Sequence, residues 1–258
     1  MSRTQRTDEG RGRLGSVLSG LAVALGCVLF LGGFIWGAVL YQPYTVPTGS
    51  MTPTIGAGDR VLAERIDGGD VRRGDVVVFR QASWGDLPMV KRVVGIGGDR
   101  ISCCTDGKLM VNGKPVAEPY LPEGAGAAAT GIPATTVPKG NLFLLGDERS
   151  GSLDSSVHLG DSNHGSVPRD AVEGRVDAVA WPMDRFGTLE RPDGFAQMPG
   201  GISDPGPVRL MVWAVVAGAV LVLGGAAYGP VAKRLGRGRE RPQGRDRSGS
   251  SGTTARVG

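Results

Sequence analysis

The stretch MVKRVVGI, residues 89–96, combines a run of apolar residues with one lysine near its centre. Short runs rich in Val and Ile, bounded by turn residues, are typical of β-strands. Because alternate side chains of a strand point to opposite faces, Lys91 would share a face with Met89 and Val93. An amine among apolar neighbours loses hydration in its charged form, which lowers its pKa and makes a neutral base available. The alternative is a lysine whose amine reaches water past its apolar neighbours.

The segments on both sides of this stretch have the same β-strand character. Glycine is over-represented, at 44 of 258 residues, and aromatic residues are few, which favours many turns and short strands. The dipeptide Asn112-Gly113 between apolar flanks predicts a hairpin, and recurrent Gly-Asp pairs predict turns. The region is therefore predicted to be mainly β, with further strands in DRVLAERI (59–66), GDVVVFR (74–80), KLMVNGKPV (108–116), NLFLLGD (141–147) and EGRVDAVAWP (173–182).

Two uncharged apolar segments flank the β region. Leu21–Tyr41 has 21 residues and Leu210–Ala232 has 23, and at about 1.5 Å per residue either helix crosses a hydrocarbon core of about 30 Å. We expect transmembrane helices over residues 15–41 and 209–231. A cleaved signal peptide is the alternative for the first, but its apolar run is too long and no A-x-A site follows it.

The charges predict which side of the membrane each region occupies. Residues 1–14 contain four Arg and two acidic residues, and residues 232–258 contain one Lys, seven Arg and two acidic residues. The positive-inside rule then places both basic tails in the cytoplasm. Residues 42–190 are predicted to form an extracytoplasmic domain, and residues 191–208 a linker. The Arg/Gly/Ser-rich C-terminal tail is predicted to be disordered, with no nucleic acid expected as its partner.

A candidate nucleophile lies just after the first apolar segment, in PTGSMTPT, residues 47–54. Ser50 requires a base that accepts its proton. His158 and His164 fall in a polar stretch that is typical of a surface loop, and no S-x-x-K motif is present. Two loop histidines and an adjacent cysteine pair also lack zinc-site spacing, so no metal is expected. Of the four lysines between the apolar segments only Lys91 lies within an apolar strand; the others are Lys108, Lys114 and Lys139.

Four motifs, taken in order, are similar to those of a known family. The chain resembles the bacterial type I signal peptidases, membrane-anchored Ser/Lys endopeptidases that remove signal peptides from exported proteins. The resemblance implies a signal-peptidase-like β-fold between two transmembrane helices, in the plasma membrane, with no cofactor. Its implied partners are signal peptides, the lipid bilayer and a nearby secretion translocon. The motifs are VPTGSMTPT (46–54), RGDVVVF (73–79), VKRVVGIGGDRI (90–101) and LLGDERSGSLDSS (145–156).

The resemblance also assigns roles to residues of the site. Ser50 matches the nucleophile and Lys91 the general base, while Thr48 matches a hydroxyl that joins the Ser50 amide in the oxyanion hole. Ser152 matches the serine whose hydroxyl orients the lysine. Support for the site is expected from Asp147, Arg149 and Asp154, and contacts with substrate from Val46, Pro47, Met51 and Val90.

The chain departs from the family pattern at two positions. Glu148 stands where Asn is usual, and Ser156 where Arg is usual. The second change removes a cation that often pairs with the aspartate matching Asp154, so the support role of Asp154 is in question. The resemblance covers roughly residues 44–182 and the apolar segments.

An extension over residues 97–140 contains the hairpin, a predicted flexible loop and the pair Cys103-Cys104. Consecutive trans Cα atoms are about 3.8 Å apart, below the usual disulfide range, so a vicinal disulfide and two free thiols both remain open.

Two functions of other classes remain as alternatives. A catalytically inactive relative would act as a membrane-tethered binding or scaffold module, which the intact pair of Ser50 and Lys91 argues against. A cytoplasmic Ser/Lys self-cleaving repressor would contain a helix-turn-helix and no apolar spans, and the sequence shows the reverse pattern.

Overall fold

A computed structural model describes most of the chain, namely residues 6–122, 124–125 and 131–237. The ends of both predicted tails and the middle of the predicted flexible loop therefore lie outside the described residues. The chain divides into two compact units, residues 1–31 with 216–258 and residues 32–215.

Two long helices contain the apolar segments. Helix α1 is Arg6–Leu40 and helix α2 is Val208–Arg237. Their stretches Gly15–Leu40 and Val208–Tyr228 are each long and apolar enough to cross a membrane. Both helices extend into the predicted tails, so residues 6–14 and 232–237 are helical there.

Within the first unit the two helices pack closely through small residues. Ser19 Oγ donates a 2.7 Å hydrogen bond to the Gly225 carbonyl oxygen. A Cβ atom placed on Gly218 would lie 2.5 Å from the backbone nitrogen of Phe30, so only glycine permits this separation. Close backbone approach through small residues is the usual packing mode of membrane helices.

The described residues of the second unit form twelve strands in two antiparallel sheets. The larger sheet has the order β1-β2-β11-β3-β4-β9-β10, with β12 paired to β11, and the smaller has the order β7-β6-β5-β8. The strands are β1 Tyr41–Thr45, β2 Arg60–Glu64, β3 Val76–Arg80, β4 Pro88–Ile96, β5 Arg100–Thr105, β6 Lys108–Val111, β7 Lys114–Pro115, β8 Thr135–Thr136, β9 Asn141–Leu145, β10 Val167–Pro168, β11 Val172–Trp181 and β12 Gly187–Thr188.

The larger sheet is covered on both faces, which explains the continuous apolar sequence of β3. Val76 and Val78 belong to one buried cluster, whereas Val77 and Phe79 belong to another. A strand buried on both faces needs apolar residues at every position rather than at alternate ones. The mainly β architecture predicted from the sequence is confirmed.

The smaller sheet confirms the predicted hairpin in the 97–140 extension. Asn112 and Gly113 link β6 to β7 with φ angles of 53° and 75°. These left-handed conformations are accessible to Asn and Gly at little cost. A disulfide joins Cys103 and Cys104 in β5, which decides between the two states left open above.

Residues 191–206, most of the predicted linker, pack against the β domain. Phe195 is fully buried in a hydrophobic cluster, against which Met198 and Ile202 of the same segment also pack. Arg191 forms an ion pair with Asp177, and Ser203 Oγ donates to Asp75 at 2.7 Å. Residues 191–206 are thereby held along the sheet.

Strand β1 follows helix α1 without an intervening loop, so Tyr41 is part of a strand and not of the predicted span. Arg65 Nη1 donates to the carbonyl oxygens of Ala38, Val39 and Tyr41 at 3.1, 2.7 and 3.1 Å. Carbonyl groups at a helix C-terminus lack intrahelical partners, and a cation there also interacts favourably with the helix dipole. Arg65 therefore caps the helix that leads into the sheet.

Candidate active site

The loop after β1 carries Ser50 and is supported from below by buried apolar side chains. Val46 closes the start of the loop, since its amide donates to Asp59 O at 2.8 Å and its carbonyl accepts from Gly58 N at 2.7 Å. Met51 and Ile55 pair with each other and are fully buried. Anchored on both sides, the loop holds the Ser50 side chain in a fixed place.

Ser50 and Lys91 meet in the folded chain. A 2.6 Å hydrogen bond joins Lys91 Nζ to Ser50 Oγ across 41 residues of sequence. Lys91 lies opposite Val77 in the pairing of β4 with β3, and only 4% of its surface is exposed. The pattern of apolar neighbours in the sequence therefore identified a lysine that is buried.

Burial lowers the pKa of Lys91 below its ordinary value, because the charged amine loses hydration. The carboxylates of Asp154 and Asp147 act in the opposite direction and limit the decrease. A larger neutral fraction at moderate pH is the property that a general base requires.

Thr48 lies on the exposed side of the same loop. Its Oγ1 donates to Ser50 Oγ at 3.3 Å. The Thr48 hydroxyl is therefore both close to the Ser50 hydroxyl and accessible from solvent.

The turn after β9 contacts the loop that carries Ser50 through its backbone. Glu148 N donates to the Ser50 carbonyl oxygen at 3.1 Å. A Cβ atom on Gly146 would collide with Ser152 Oγ and with that same carbonyl oxygen, so Gly146 is needed for this close approach. Ser152 Oγ is buried and has no hydrogen-bond partner among the described residues. Its predicted hydrogen bond to Lys91 is thus not formed in this structure.

Asp147 connects three parts of the site. Arg92, the residue after Lys91, donates to its carboxylate from Nε at 2.8 Å and from Nη2 at 2.7 Å. Thr54, which lies in the loop that carries Ser50, donates from Oγ1 to the same carboxylate at 2.5 Å. This buried carboxylate therefore links β4, the turn after β9 and the loop that carries Ser50.

Ser156 provides a partner for Asp154 in place of the usual arginine. Asp154 Oδ1 accepts from the hydroxyl of Ser156 at 2.6 Å and from its amide at 3.0 Å. The other carboxylate oxygen accepts from Gly146 N at 2.9 Å. A hydroxyl and two amides thus satisfy the carboxylate without a cation.

Sequence reasoning missed Glu118 and Tyr120, which contact the predicted support residue Arg149 and its neighbours. Glu118 accepts from Arg149 Nη1 at 3.0 Å and from Nη2 at 2.5 Å. The Tyr120 ring lies 3.9 Å from the guanidinium carbon of Arg92. Both residues come from the 97–140 extension, and the only local signal was an acidic residue and an aromatic one between β7 and the loop.

The four predicted substrate-contact residues differ in exposure. Val46 and Val90 pack in the buried cluster that includes Met51, and Pro47 is exposed. Met51 has no exposed surface, so its side chain supports the loop from below. The prediction that its side chain contacts substrate is not supported by this position.

The two histidines have other surroundings. His158 forms a 3.1 Å contact with Asp161 and stacks on Trp84, while His164 takes a left-handed backbone conformation in the same surface loop. Within the described ranges, no group of three or more His, Cys, Asp or Glu side chains could hold a metal ion.

One edge of β4 is open beside Lys91. Residues 88–91 pair with β3 on one side, whereas pairing with β9 on the other side begins only at Arg92. Strand β1, which leads to the serine loop, forms the end of the larger sheet. Among the described residues, these two strand edges have no strand partner, and an extended peptide could pair with their backbone groups.

The site combines a buried lysine amine with the serine hydroxyl to which it is hydrogen-bonded. This arrangement is typical of proteins that use an activated serine nucleophile. The family model described as signal peptidase, peptidase S26, matches residues 17–181, and the chain belongs to that family.

Comparison with known proteins gives consistent relatives. The chain is 30% identical to signal peptidase I of Mycobacterium tuberculosis, over 73% of this chain and 81% of that protein. It is 34% identical to signal peptidase I T of Bacillus subtilis, covering 57% and 77% of the two chains. The identity with signal peptidase IB of Staphylococcus aureus is 35%, covering 62% and 87%. A crystal structure of a signal peptidase I from Enterococcus faecalis is 27% identical over 41% of this chain and 95% of that one, with a TM-score of 0.32.

Proposed function

We propose that this protein is a membrane-anchored serine endopeptidase that cleaves N-terminal signal peptides from exported preproteins. Ser50 is the nucleophile and Lys91 the general base. The observation that carries the proposal is the 2.6 Å hydrogen bond between a buried lysine amine and a serine hydroxyl. Membership of the signal peptidase family supports the substrate class.

Acylation begins when neutral Lys91 Nζ accepts the Ser50 hydroxyl proton as Oγ attacks the carbonyl carbon of the scissile bond. The oxyanion that forms accepts hydrogen bonds from Thr48 Oγ1 and the Ser50 amide, each worth about 10²–10³ in rate. The Lys91 ammonium then gives its proton to the leaving amine as the C–N bond breaks. The mature protein departs with a new amino terminus.

Deacylation repeats the proton transfers with water. Lys91 takes a proton from a water molecule that attacks the ester carbonyl, and the ester C–O bond breaks. The proton returns to Ser50 Oγ, and the signal peptide leaves with a free carboxylate. No group other than the chain and water is needed to balance these steps.

Substrate binds in this proposal as an extended strand between the open edge of residues 88–91 and the chain leading to Ser50. Main-chain pairing provides affinity independent of sequence. The pockets for substrate side chains are bordered by Val46, Pro47 and Val90. Because the two valines are packed in the core and leave little space, these pockets accept small substrate side chains.

The two apolar helices anchor the enzyme in the plasma membrane, with the β domain outside the cytoplasm and near the secretion translocon. The substrate's own apolar segment lies in the same bilayer. Tethering both molecules to one membrane raises their effective concentration.

The test uses purified full-length protein in detergent with a precursor protein, and sequencing of the product's amino terminus. Ser50→Ala and Lys91→Ala should each lower turnover by roughly 10⁴-fold or more, and the double variant should be no worse, because nucleophile and base act as one unit. Lys108→Ala, which changes an exposed lysine of β6, is the matched control and should retain normal turnover.

Two outcomes would contradict the proposal. Wild-type protein that is folded but cleaves no precursor would indicate the inactive binding module instead. Near-normal turnover of Lys91→Ala at neutral pH would mean that another group is the base.

A further inference from the structure

Two buried ion pairs join the neighbours of the catalytic residues to the rest of the domain. The first, Arg92 with Asp147, involves the residue after Lys91 and the residue after Gly146. The second, Arg149 with Glu118, is equally enclosed, since the two side chains are 1% and 6% exposed. In each pair the guanidinium makes two hydrogen bonds to the carboxylate, the geometry with the strongest directional preference.

Arg149 fixes the turn on which Ser50 rests. Its Nε donates to the Gly146 carbonyl oxygen at 3.0 Å, while its other two nitrogens are held by Glu118. The same turn donates from Glu148 N to the Ser50 carbonyl oxygen. A displacement of Arg149 is therefore passed to the nucleophile through one short stretch of backbone.

Tyr120 connects the second pair to the first. Its hydroxyl donates to Glu118 Oε1 at 2.5 Å, and its ring lies against the guanidinium of Arg92 at 3.9 Å. A cation over an aromatic face gains additional attraction when the site is desolvated. Glu118 and Tyr120 thus contact the supports of both catalytic residues at once.

We propose that Glu118 and Tyr120 are positioning residues for the Ser50 and Lys91 reaction, and this rests on the proposed function. Glu118 holds the turn beneath Ser50 through Arg149, and Tyr120 holds Arg92, the backbone neighbour of Lys91. The 97–140 extension is in this way part of the catalytic apparatus, although it supplies no reacting group. Removing the Glu118 charge would leave Arg149 buried without its carboxylate, which is costly.

The test measures kcat and KM for precursor cleavage by Glu118→Gln in the full-length protein. This change keeps the size of the side chain and removes its charge. We expect kcat to fall roughly 10- to 100-fold, since small misplacements of reacting groups have effects of that size, with KM within about twofold. Tyr120→Phe keeps the ring against Arg92 and loses only the hydroxyl, so its decrease in kcat should be smaller.

Glu64→Gln is the matched control for general destabilisation. Glu64 accepts from Arg175 Nη2 at 2.5 Å in another largely buried ion pair, which contacts neither Ser50 nor Lys91. It should lower the thermal midpoint as Glu118→Gln does and leave kcat unchanged. Rates are compared at equal folded fraction, from the near-ultraviolet circular dichroism signal.

The outcomes separate this inference from the proposed function. If wild-type protein and Glu64→Gln cleave precursor and a folded Glu118→Gln has the same kcat as they do, the positioning role is overturned. If Glu118→Gln does not fold, Tyr120→Leu decides, because it removes the ring from Arg92 and the hydroxyl from Glu118 while it retains both ion pairs, and a normal kcat in that folded variant overturns the role. An inactive wild type contradicts the proposed function itself.

Discussion

Lys91 is buried at a cost that should be visible in the stability of the folded chain. Burial lowers its pKa below the unfolded value of about 10.4, so the unfolded chain binds more protons between these two values. The loss of folding free energy caused by burying Lys91 is therefore fully present below the pKa of Lys91 in the folded chain. It disappears as pH rises towards the pKa of Lys91 in the unfolded chain. Lys91→Met should therefore raise the thermal midpoint most at low pH, by an amount that shrinks as pH approaches 10.4, as measured calorimetrically in detergent.

Ser50→Ala serves as the control for this measurement, because it removes the hydroxyl partner and retains the amine. Its midpoint should follow the wild-type dependence on pH. A gain for Lys91→Met that stays constant or grows with rising pH would show that the lysine is not buried at a depressed pKa.

Thr48→Val should lower kcat more than it raises KM. The hydroxyl lies 3.3 Å from Ser50 Oγ, and its proposed partner, the oxyanion, exists only during the reaction. Val is nearly equal to Thr in size but has no hydroxyl donor. Thr48→Ser keeps the donor and should therefore keep most of the activity. Steady-state kinetics of both variants test this. Equal losses in the two variants would contradict the oxyanion role, because Thr48→Ser retains the hydroxyl donor.

Single residues differ in how far the sequence reveals them. Lys91 could be predicted because its burial follows from its own strand, whose apolar neighbours are adjacent in sequence. Glu118 and Tyr120 could not, since their roles depend on Arg149 and Arg92, which only the folded chain brings beside them. The burial of Met51 could not be predicted from its own position in the sequence either, since it depends on Ile55 and the cluster that the folded chain forms around it.

At the scale of elements, the sequence predicts strands that carry their own apolar signal. The run over 89–96 becomes β4, and that over 173–182 becomes β11, each shifted by about one residue. Two-residue strands such as β8 and β10 have no such signal, because they exist only through pairing with a neighbour. The packing of residues 191–206 had no such signal either, because the burial of Phe195 depends on a cluster formed by residues distant in sequence.

At the scale of the whole molecule, the proposed topology places both ends of the chain on the cytoplasmic side. A tag at the C-terminus should be protected from added protease in right-side-out vesicles until the membrane is lysed, because the basic residues beyond α2 resist translocation. A second tag inserted after Asp86, in an exposed turn of the β domain, should be digested without lysis. Digestion of the C-terminal tag in intact vesicles would contradict the two-span topology.

If α1 crosses the membrane as proposed, its direct passage into β1, capped by Arg65, makes cleavage depend on a length as well as on side chains. Only residues 41–49 separate the end of the helix from Ser50, and the sheet holds the first of them in place. The distance from the end of α1 at Leu40 to Ser50 is then set by the fold of the second unit. In the proposed function a preprotein brings its scissile bond to that distance, so the number of residues between its apolar segment and its cleavage site is constrained.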